Sequence, residues 1–399
     1  MYRRLNCCRF AKLSAVFAVI LYLCAFSVDL DSIMDGLRWI YHSWSLLSFS
    51  HKIIILNSLP STARHPMAPP YPHPYPFLIN QPGKCLNRKP FLVLLVTVES
   101  HDIISRNTIR ETWGDETNYP DVDVLRLFLV GRPPMVVDAG QRLLEEESAL
   151  YGDIVQQDFL DTYDNLTLKS LMGMQWVAKY CPNASYVMKV DSDVFLNVNY
   201  LVHHLLHPEL PAHENYITGY FVYHTGPIRN KFSKWYIPHE LYPGDTFPPY
   251  PSGPGYVFSA DMAKKIYDVA QGIIVINLED VFIGMCLHRL NILPTRPPRN
   301  MFNGQRTSYT ISTFCNVVMV HHYEKHELRR VWLDFWSRKT LAFEIVRKHW
   351  SVISSDQRLA PLFKEPPMCA FKRSRRVCDT LVHARNMPVA EKRNTDFAR

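Results

Sequence analysis

Two acidic pairs dominate the chemistry this sequence could perform. The first is Asp191-Ser192-Asp193, directly after an apolar run from Tyr186 to Val190. Paired carboxylates with no Cys or His adjoining them are hard oxygen donors, suited to Mg2+ or Mn2+ held jointly with phosphates. A D-x-D triplet alone is common. Its place at the end of an apolar strand gives it weight, because ligands bind at the carboxyl edge of open α/β sheets. The second pair, Glu279-Asp280, opens an apolar, helix-like run from Val281 to Leu290. A carboxylate there caps a helix N-terminus, and capping does not exclude catalysis. The third candidate is Tyr250-Pro251-Ser252-Gly253-Pro254-Gly255-Tyr256, whose glycines allow close backbone approach to a ligand or a tight turn.

The elements that must position these groups are short and alternating. Phe91 to Val98 is a continuous apolar run, expected as a strand buried on both faces. A helix follows around Arg106 to Trp113. Val124 to Val130 is a second strand, and residues 138–150 read as an acidic helix. Asp153 to Phe159 is a third strand, and Thr167 to Tyr180 a helix with Leu171, Met174, Val177 and Ala178 on one face. Tyr186 to Val190 is a fourth strand. Strands alternating with helices predict an α/β fold with a mainly parallel sheet.

The chain has 399 residues, 47% hydrophobic and 20% charged, which excludes a disordered or collagen-like protein. The net charge of +7 first suggests nucleic acid. However, residues 1–12 carry +4 and residues 371–399 carry +5, and subtracting both from +7 leaves −2 for the body. No basic footprint for a polyphosphate remains, so no nucleic-acid partner is expected.

Arg3, Arg4, Arg9 and Lys12 precede an uncharged run, Leu13 to Val28. That pattern predicts a short cytosolic tail over 1–12 and a single transmembrane signal anchor over 13–28, with the remainder luminal. A cleaved signal peptide is the alternative. Cys7 and Cys8 adjoin the membrane and are candidates for palmitoylation. Eight prolines between Pro60 and Pro82 disfavour helix interiors and sheet ladders, and residues 29–84 are expected as a stem. A catalytic domain over 85–340 and a basic extension over 341–399 complete the organisation. Cys85, Cys181, Cys286, Cys315, Cys369 and Cys378 would face an oxidising lumen, with pairing open. Asn165-Leu-Thr and Asn183-Ala-Ser are glycosylation sequons that fit this location.

Taken together, the motifs resemble the β1,3-galactosyltransferase family, inverting glycosyltransferases of glycosyltransferase family 31. The resemblance covers roughly Cys85 to Trp332. It runs through Arg106-Asn-Thr-Ile-Arg110-Glu-Thr-Trp113-Gly114, Asp158-Phe-Leu-Asp161, Asn165-Leu-Thr-Leu-Lys169 and Lys189-Val-Asp191-Ser-Asp193. It continues through Lys234-Trp235-Tyr236, Pro248-Pro-Tyr250, Tyr256-Val-Phe-Ser259 and Glu279-Asp280-Val-Phe-Ile-Gly284-Met-Cys286-Leu. It implies a GT-A-like nucleotide-sugar-binding domain with a mixed, mainly parallel central sheet, in a type II Golgi membrane protein. Two departures stand out. The family usually carries Cys where this chain has Pro251, and this chain runs on past Trp332 with Cys369 and Cys378 in the extension.

The implied reaction moves galactose from UDP-galactose to the 3-hydroxyl of a terminal GlcNAc or GalNAc, with inversion to a β-linkage. Inversion by one in-line displacement needs a base on the acceptor side and charge neutralisation on the leaving side. The resemblance assigns Asp191, Asp193 and His321 to Mn2+ (or Mg2+) beside the UDP diphosphate. His322 is the neighbour with which His321 is most easily confused. Asp280 is implied as general base, with Glu279 as the fallback. Arg106, Arg110, Lys189 and Ser192 would face the donor. Trp235 and Tyr236 would offer a platform for the acceptor sugar, and Gly253 and Gly255 would let the main chain come near it. The expected partners are a nucleotide sugar and a glycan acceptor on a glycoprotein or glycolipid, with a homodimer left open. The rivals are a β1,3-N-acetylglucosaminyl- or N-acetylgalactosaminyltransferase and an inactive luminal carbohydrate-binding protein.

Overall fold

The computed structural model describes residues 75–133, 138–298 and 300–338. The expected tail, anchor, most of the stem and the 341–399 extension lie outside the described residues, as do Cys7, Cys8, Cys369 and Cys378. Among the described residues no helix is long and apolar enough to cross a membrane.

The central sheet is built from seven strands: β1 (Phe77–Ile79), β2 (Leu92–Thr97), β3 (Val124–Arg132), β4 (Ile154–Leu160), β5 (Tyr186–Asp191), β7 (Ile217–Val222) and β8 (Tyr250–Ser259). Their spatial order is β1-β4-β3-β2-β5-β8-β7. The β4-β3-β2-β5 block is parallel. β1, β8 and β7 add antiparallel edges. The sheet is therefore mixed and mainly parallel at its centre. All six residues of β2 are buried, as a central strand covered on both faces must be. Leu92, Leu94 and Val96 enter one core with Ile109 and Trp113, while Val93 and Leu95 enter the other.

The helices fill the two faces. α1 (Ile103–Arg110) follows β2, α2 (Asp138–Tyr151) follows β3, and α3 (Leu166–Tyr180) follows β4. α4 (Val198–Leu201) is one short turn. α3 is buried almost all round, from Thr167 through Val177, because it lies between the sheet and α5 (Ala260–Ala270). A disulfide joins Cys85 to Cys181 at the end of α3. Cys286 and Cys315 are buried and lie outside that disulfide.

A second, three-stranded sheet sits apart, in the order β6 (Val194–Leu196), β10 (Met319–His321) and β9 (Phe302–Asn303). It packs through Phe195 and Val320 against Trp332 and Phe335 of a helix over 325–338. α6 (Glu279–Arg289) packs on β8, and α7 (Ile311–Phe314) is a single turn.

One expected boundary moves here, and one open alternative is resolved. The stem read as 29–84 overlaps the sheet, since Phe77–Ile79 pairs with β4 as an edge strand. An edge position lets its proline-rich flank join without interrupting a central ladder. The glycine-rich block from Tyr250 to Tyr256 is the first part of β8, not a turn.

α6 can lie on β8 because Gly284 has no side chain. A Cβ there would stand 2.6 Å from the Tyr250 Cβ and 2.8 Å from the Pro249 carbonyl oxygen. Backbone must move to admit it, so Gly284→Ala is expected to cost about 1–3 kcal/mol. Thermal unfolding of the purified variant checks this, and an unchanged midpoint would contradict it.

Candidate active site

Asp191 ends β5, Ser192 follows it, and Asp193 directly precedes β6. The chain thus steps from the large sheet to the small one across the D-x-D triplet. In the small sheet β10 runs antiparallel to β6, with His321 opposite Val194. That register brings His321, far downstream in sequence, beside Asp193. The His321 Nε2 lies 3.0 Å from the Asp193 Oδ2.

Successive side chains in a strand point to opposite faces, so His321 and His322 should diverge. They do not, because His322 has a left-handed backbone with φ of 65°. Its ring stacks on that of His321 with centroids 3.8 Å apart. A non-glycine residue in this region costs on the order of 1–3 kcal/mol and tends to mark a functional site. Here it places His322 Nδ1 4.0 Å from the Asp193 Oδ2.

Asp193, His321 and His322 thus offer one ligand atom each, all within 4.8 Å of one another. The donor set of one carboxylate and two imidazoles fits a divalent cation. The His321 Nδ1 faces the Gly304 carbonyl at 3.2 Å, which orients the ring and leaves Nε2 for the site. Burial is the largest single influence on Asp193 and works against its charge, but the His321 hydrogen bond and charge, with a backbone hydrogen bond and His322, together outweigh it, and its pKa falls below the usual carboxylate value. Burial likewise opposes charge on His321, and Asp193 outweighs it, raising that pKa.

Asp191 lines the same cleft, with one of its two oxygens engaged by neighbouring side chains. Its Oδ1 accepts from the Thr97 hydroxyl at 2.5 Å and from the Lys189 ammonium at 2.5 Å, and it is not part of the three-residue cluster. Two donors already hold that oxygen. Lys189 is buried, and it also donates to the Gly253 carbonyl at 2.6 Å and stands 3.8 Å from the Glu279 Oε2. Burial alone would neutralise it, but Asp191 and Glu279 keep its pKa raised. Its role is to tie β5, β8 and α6 together beneath the cleft.

The second acidic pair forms the first residues of α6. Glu279 is buried and accepts from the Tyr256 hydroxyl at 2.7 Å. Its two oxygens thus face Tyr256 and Lys189, which leaves it less free than Asp280 to take a proton. Asp280 is the freer of the two, and one of its oxygens accepts from the Val281 N–H at 2.8 Å. Burial first, and then the Glu279 charge, push its pKa up to about 6. A carboxylate poised there can take a proton near neutral pH. Gly253 leaves room in front of it, since a Cβ at that position would lie 3.7 Å from the Asp280 Oδ2.

All these groups line one open cleft of about 1220 Å³. Asp191, Ser192, Asp193, His321 and His322 line it together with Gly253, Glu279 and Asp280. Trp235 lines it as well and donates from its indole N–H to the Tyr163 hydroxyl at 3.2 Å.

Four of the expected contacts do not reach the cleft. Arg106 is buried and forms a two-pronged ion pair with Glu147, at 2.8 and 2.7 Å. Arg110 bridges Glu147 and Asp153, both at 2.7 Å, and Arg126 adds a 2.6 Å contact to Asp153. These cations hold α1, α2 and the start of β4 together, so neither Arg106 nor Arg110 is left for a phosphate. Tyr236 bridges Ile228 within its own loop and does not line the cleft. Gly255 faces packing atoms: a Cβ there would meet the Met319 sulfur at 2.8 Å. His322 is the residue the sequence left in doubt, and only its left-handed backbone reveals its placement. Asn165 is half-exposed just before α3, and Asn183 is exposed.

A strand-end carboxylate beside two imidazoles, and a second carboxylate of raised pKa in the same cleft, suit a site for a cation with an anionic ligand and a proton acceptor. The comparisons narrow it. A family model described as Galactosyltransferase matches residues 104–298. Human β-1,3-galactosyltransferase 2 is 46% identical over 264 residues, covering 66% of this chain and 63% of that protein. Mouse β-1,3-galactosyltransferase 1 is 43% identical over 272 residues, covering 68% of this chain and 81% of that protein. The chain belongs to the galactosyltransferase family. It spans about 63% of the length of the β-1,3-galactosyltransferase 2 relatives.

Proposed function

We propose that the protein transfers galactose from UDP-galactose to the 3-hydroxyl of a terminal GlcNAc or GalNAc, with inversion, in a GT-A-type site. The observation that carries this is the meeting in one cleft of the Asp193–His321–His322 cluster and Asp280. Asp193, His321 and His322 would hold Mn2+ or Mg2+, which when bound supplies positive charge against the diphosphate. Asp280 takes the proton from the acceptor hydroxyl as that oxygen bonds to the anomeric carbon. The bond from that carbon to the phosphate oxygen breaks, and UDP leaves with its electron pair. Lys189 and Glu279 hold the Gly253 backbone and the start of α6 in place around the reacting groups. Trp235 offers a ring face to the acceptor sugar. The names of the relatives and the family match support this donor and linkage. The apolar run after the N-terminal arginines, together with sequons at Asn165 and Asn183, supports a type II Golgi membrane location with a luminal, glycosylated catalytic domain.

UDP release measured over a panel of UDP-sugars tests the donor. Turnover with UDP-galactose and a GlcNAc or GalNAc acceptor is expected. Preference for UDP-GlcNAc or UDP-GalNAc would move the protein to the rival transferases, and turnover of none would overturn the enzyme reading.

A pH dependence follows from Asp280. The base must be ionised, so kcat/KM should fall as pH drops through about 6, the value to which burial and Glu279 push this carboxylate. The profile is to be taken at saturating divalent ion, because acid also protonates His321. An acid limb centred near the ordinary carboxylate value would contradict the assignment.

A further inference from the structure

Two phenols line the cleft, Tyr163 and Tyr250, and the transfer described above gives neither a part. Tyr163 lies between β4 and α3, and Trp235 in the long connection between β7 and β8. They meet across 72 residues of chain, where the Trp235 indole N–H donates to the Tyr163 hydroxyl at 3.2 Å. The Lys234 ammonium stands over both rings, 5.6 Å from the centre of Tyr163 and 4.7 Å from that of Trp235. The connection carrying Lys234 and Trp235 is itself held. Arg229 donates there to the carbonyls of Ile237, Tyr242 and Gly244 at 2.8, 2.8 and 3.0 Å. Tyr163 thus keeps a set position in the cleft while it is 48% exposed.

A phenol oxygen can both accept and donate. Trp235 supplies the bond that Tyr163 accepts, and the Tyr163 O–H donates to no group among the described residues. Accepting from the indole polarises that O–H and strengthens it as a donor. Burial first, and then the charges of Asp280, Asp191 and Asp164, raise the Tyr163 pKa against the Trp235 bond, so the proton stays on the oxygen. The same influence places the phenol within electrostatic reach of both Asp280 and the D-x-D triplet. Ionised carboxylates can only accept, so Tyr163 offers what they do not, a neutral donor for a ligand oxygen. Tyr250 is less suited, because it is more buried and its ring packs edge-on against Phe247 with centroids 6.2 Å apart.

GlcNAc and GalNAc share a 2-acetamido group beside the 3-hydroxyl that Asp280 would deprotonate. The carbonyl of that group is the strongest neutral acceptor on either sugar, and a plain hexose has only a hydroxyl in its place. We propose that Tyr163 is a specificity-determining residue, whose O–H donates to the acetamido carbonyl of the acceptor sugar and so selects an N-acetylhexosamine over a hexose. The proposal rests on the transferase reading above.

Tyr163→Phe keeps the ring and removes only the donor. The full-length chain is assayed with UDP-galactose and a divalent ion on two acceptors of the same aglycone, one ending in GlcNAc and one in glucose. Tyr163→Phe should lose about tenfold in kcat/KM on the GlcNAc acceptor, through KM, and stay within about twofold on the glucose acceptor. An acceptor that turns over too slowly is read by its inhibition constant instead. Equal losses on the two acceptors, an unchanged preference, or a raised KM for UDP-galactose would overturn the assignment. So would Tyr250→Phe abolishing the preference while Tyr163→Phe keeps it. If the unaltered chain transfers to neither acceptor, the transferase reading fails. The Tyr163 contact is then decided by NMR titration of the two glycans with UDP and the divalent ion present. Weaker binding of the GlcNAc glycan alone to Tyr163→Phe supports it, and no difference overturns it.

Discussion

Asp280→Asn should lower transfer by roughly 10²–10⁴-fold while UDP binding stays within about twofold. The amide keeps the shape and can still accept from the Val281 N–H, as the carboxylate does at 2.8 Å. It cannot take the proton of an acceptor hydroxyl. The neighbouring Glu279 does not rescue the reaction, because it is buried and engaged by Tyr256 at 2.7 Å. Rates are read with saturating donor and acceptor, and UDP affinity by calorimetry. A parallel fall in rate and UDP affinity in a folded variant would place Asp280 in donor binding instead.

Asp193→Ala carries the second large effect. Its carboxylate is the point on which both His321 and His322 converge, at 3.0 and 4.0 Å. Removing it leaves two imidazoles and no anion, so metal-dependent UDP affinity should fall by at least about 100-fold, beyond what loss of an outer-shell partner costs. Asp191→Asn is the informative contrast. Asp191 is already held by Thr97 and Lys189, and its replacement should disturb the metal dependence less than Asp193→Ala does. Titration of the divalent ion with UDP in both variants decides the order, and equal losses would return Asp191 to the metal cluster.

Much of the fold could be read from local sequence. Short continuous apolar runs such as β2 and β5 suit strands covered on both faces, and the stretches between the strands became α1, α2 and α3, the last buried almost all round rather than on one face. The exception is β8, where Pro251, Gly253, Pro254 and Gly255 hide a strand behind residues that rarely build one. Tertiary pairing with β5 and β7 overrides that local preference.

The site was legible in part, and the boundary is physical. Carboxylates beside apolar runs announce themselves, at a strand end for Asp193 and at a helix start for Asp280. Whether a cation is free is decided by partners distant in sequence. Nothing local to Arg106 or Arg110 discloses Glu147 and Asp153, which hold them. Likewise, the adjacency of His321 to Asp193 depends on the register of two short strands, and the turn of His322 on a single backbone angle. The commitment of Asp191 to Lys189 and Thr97 is again a matter of packing across β2 and β5.

The stereochemistry of the product is the most direct measurement. UDP-galactose labelled at the anomeric carbon, a GlcNAc-terminated acceptor and a divalent ion are incubated with the glycosylated protein, and the product is read by NMR. A new β-configured bond from that carbon to the acceptor 3-oxygen is the predicted result. An α-configured bond would contradict the single displacement, and a bond to another hydroxyl would contradict the acceptor geometry ascribed to Asp280.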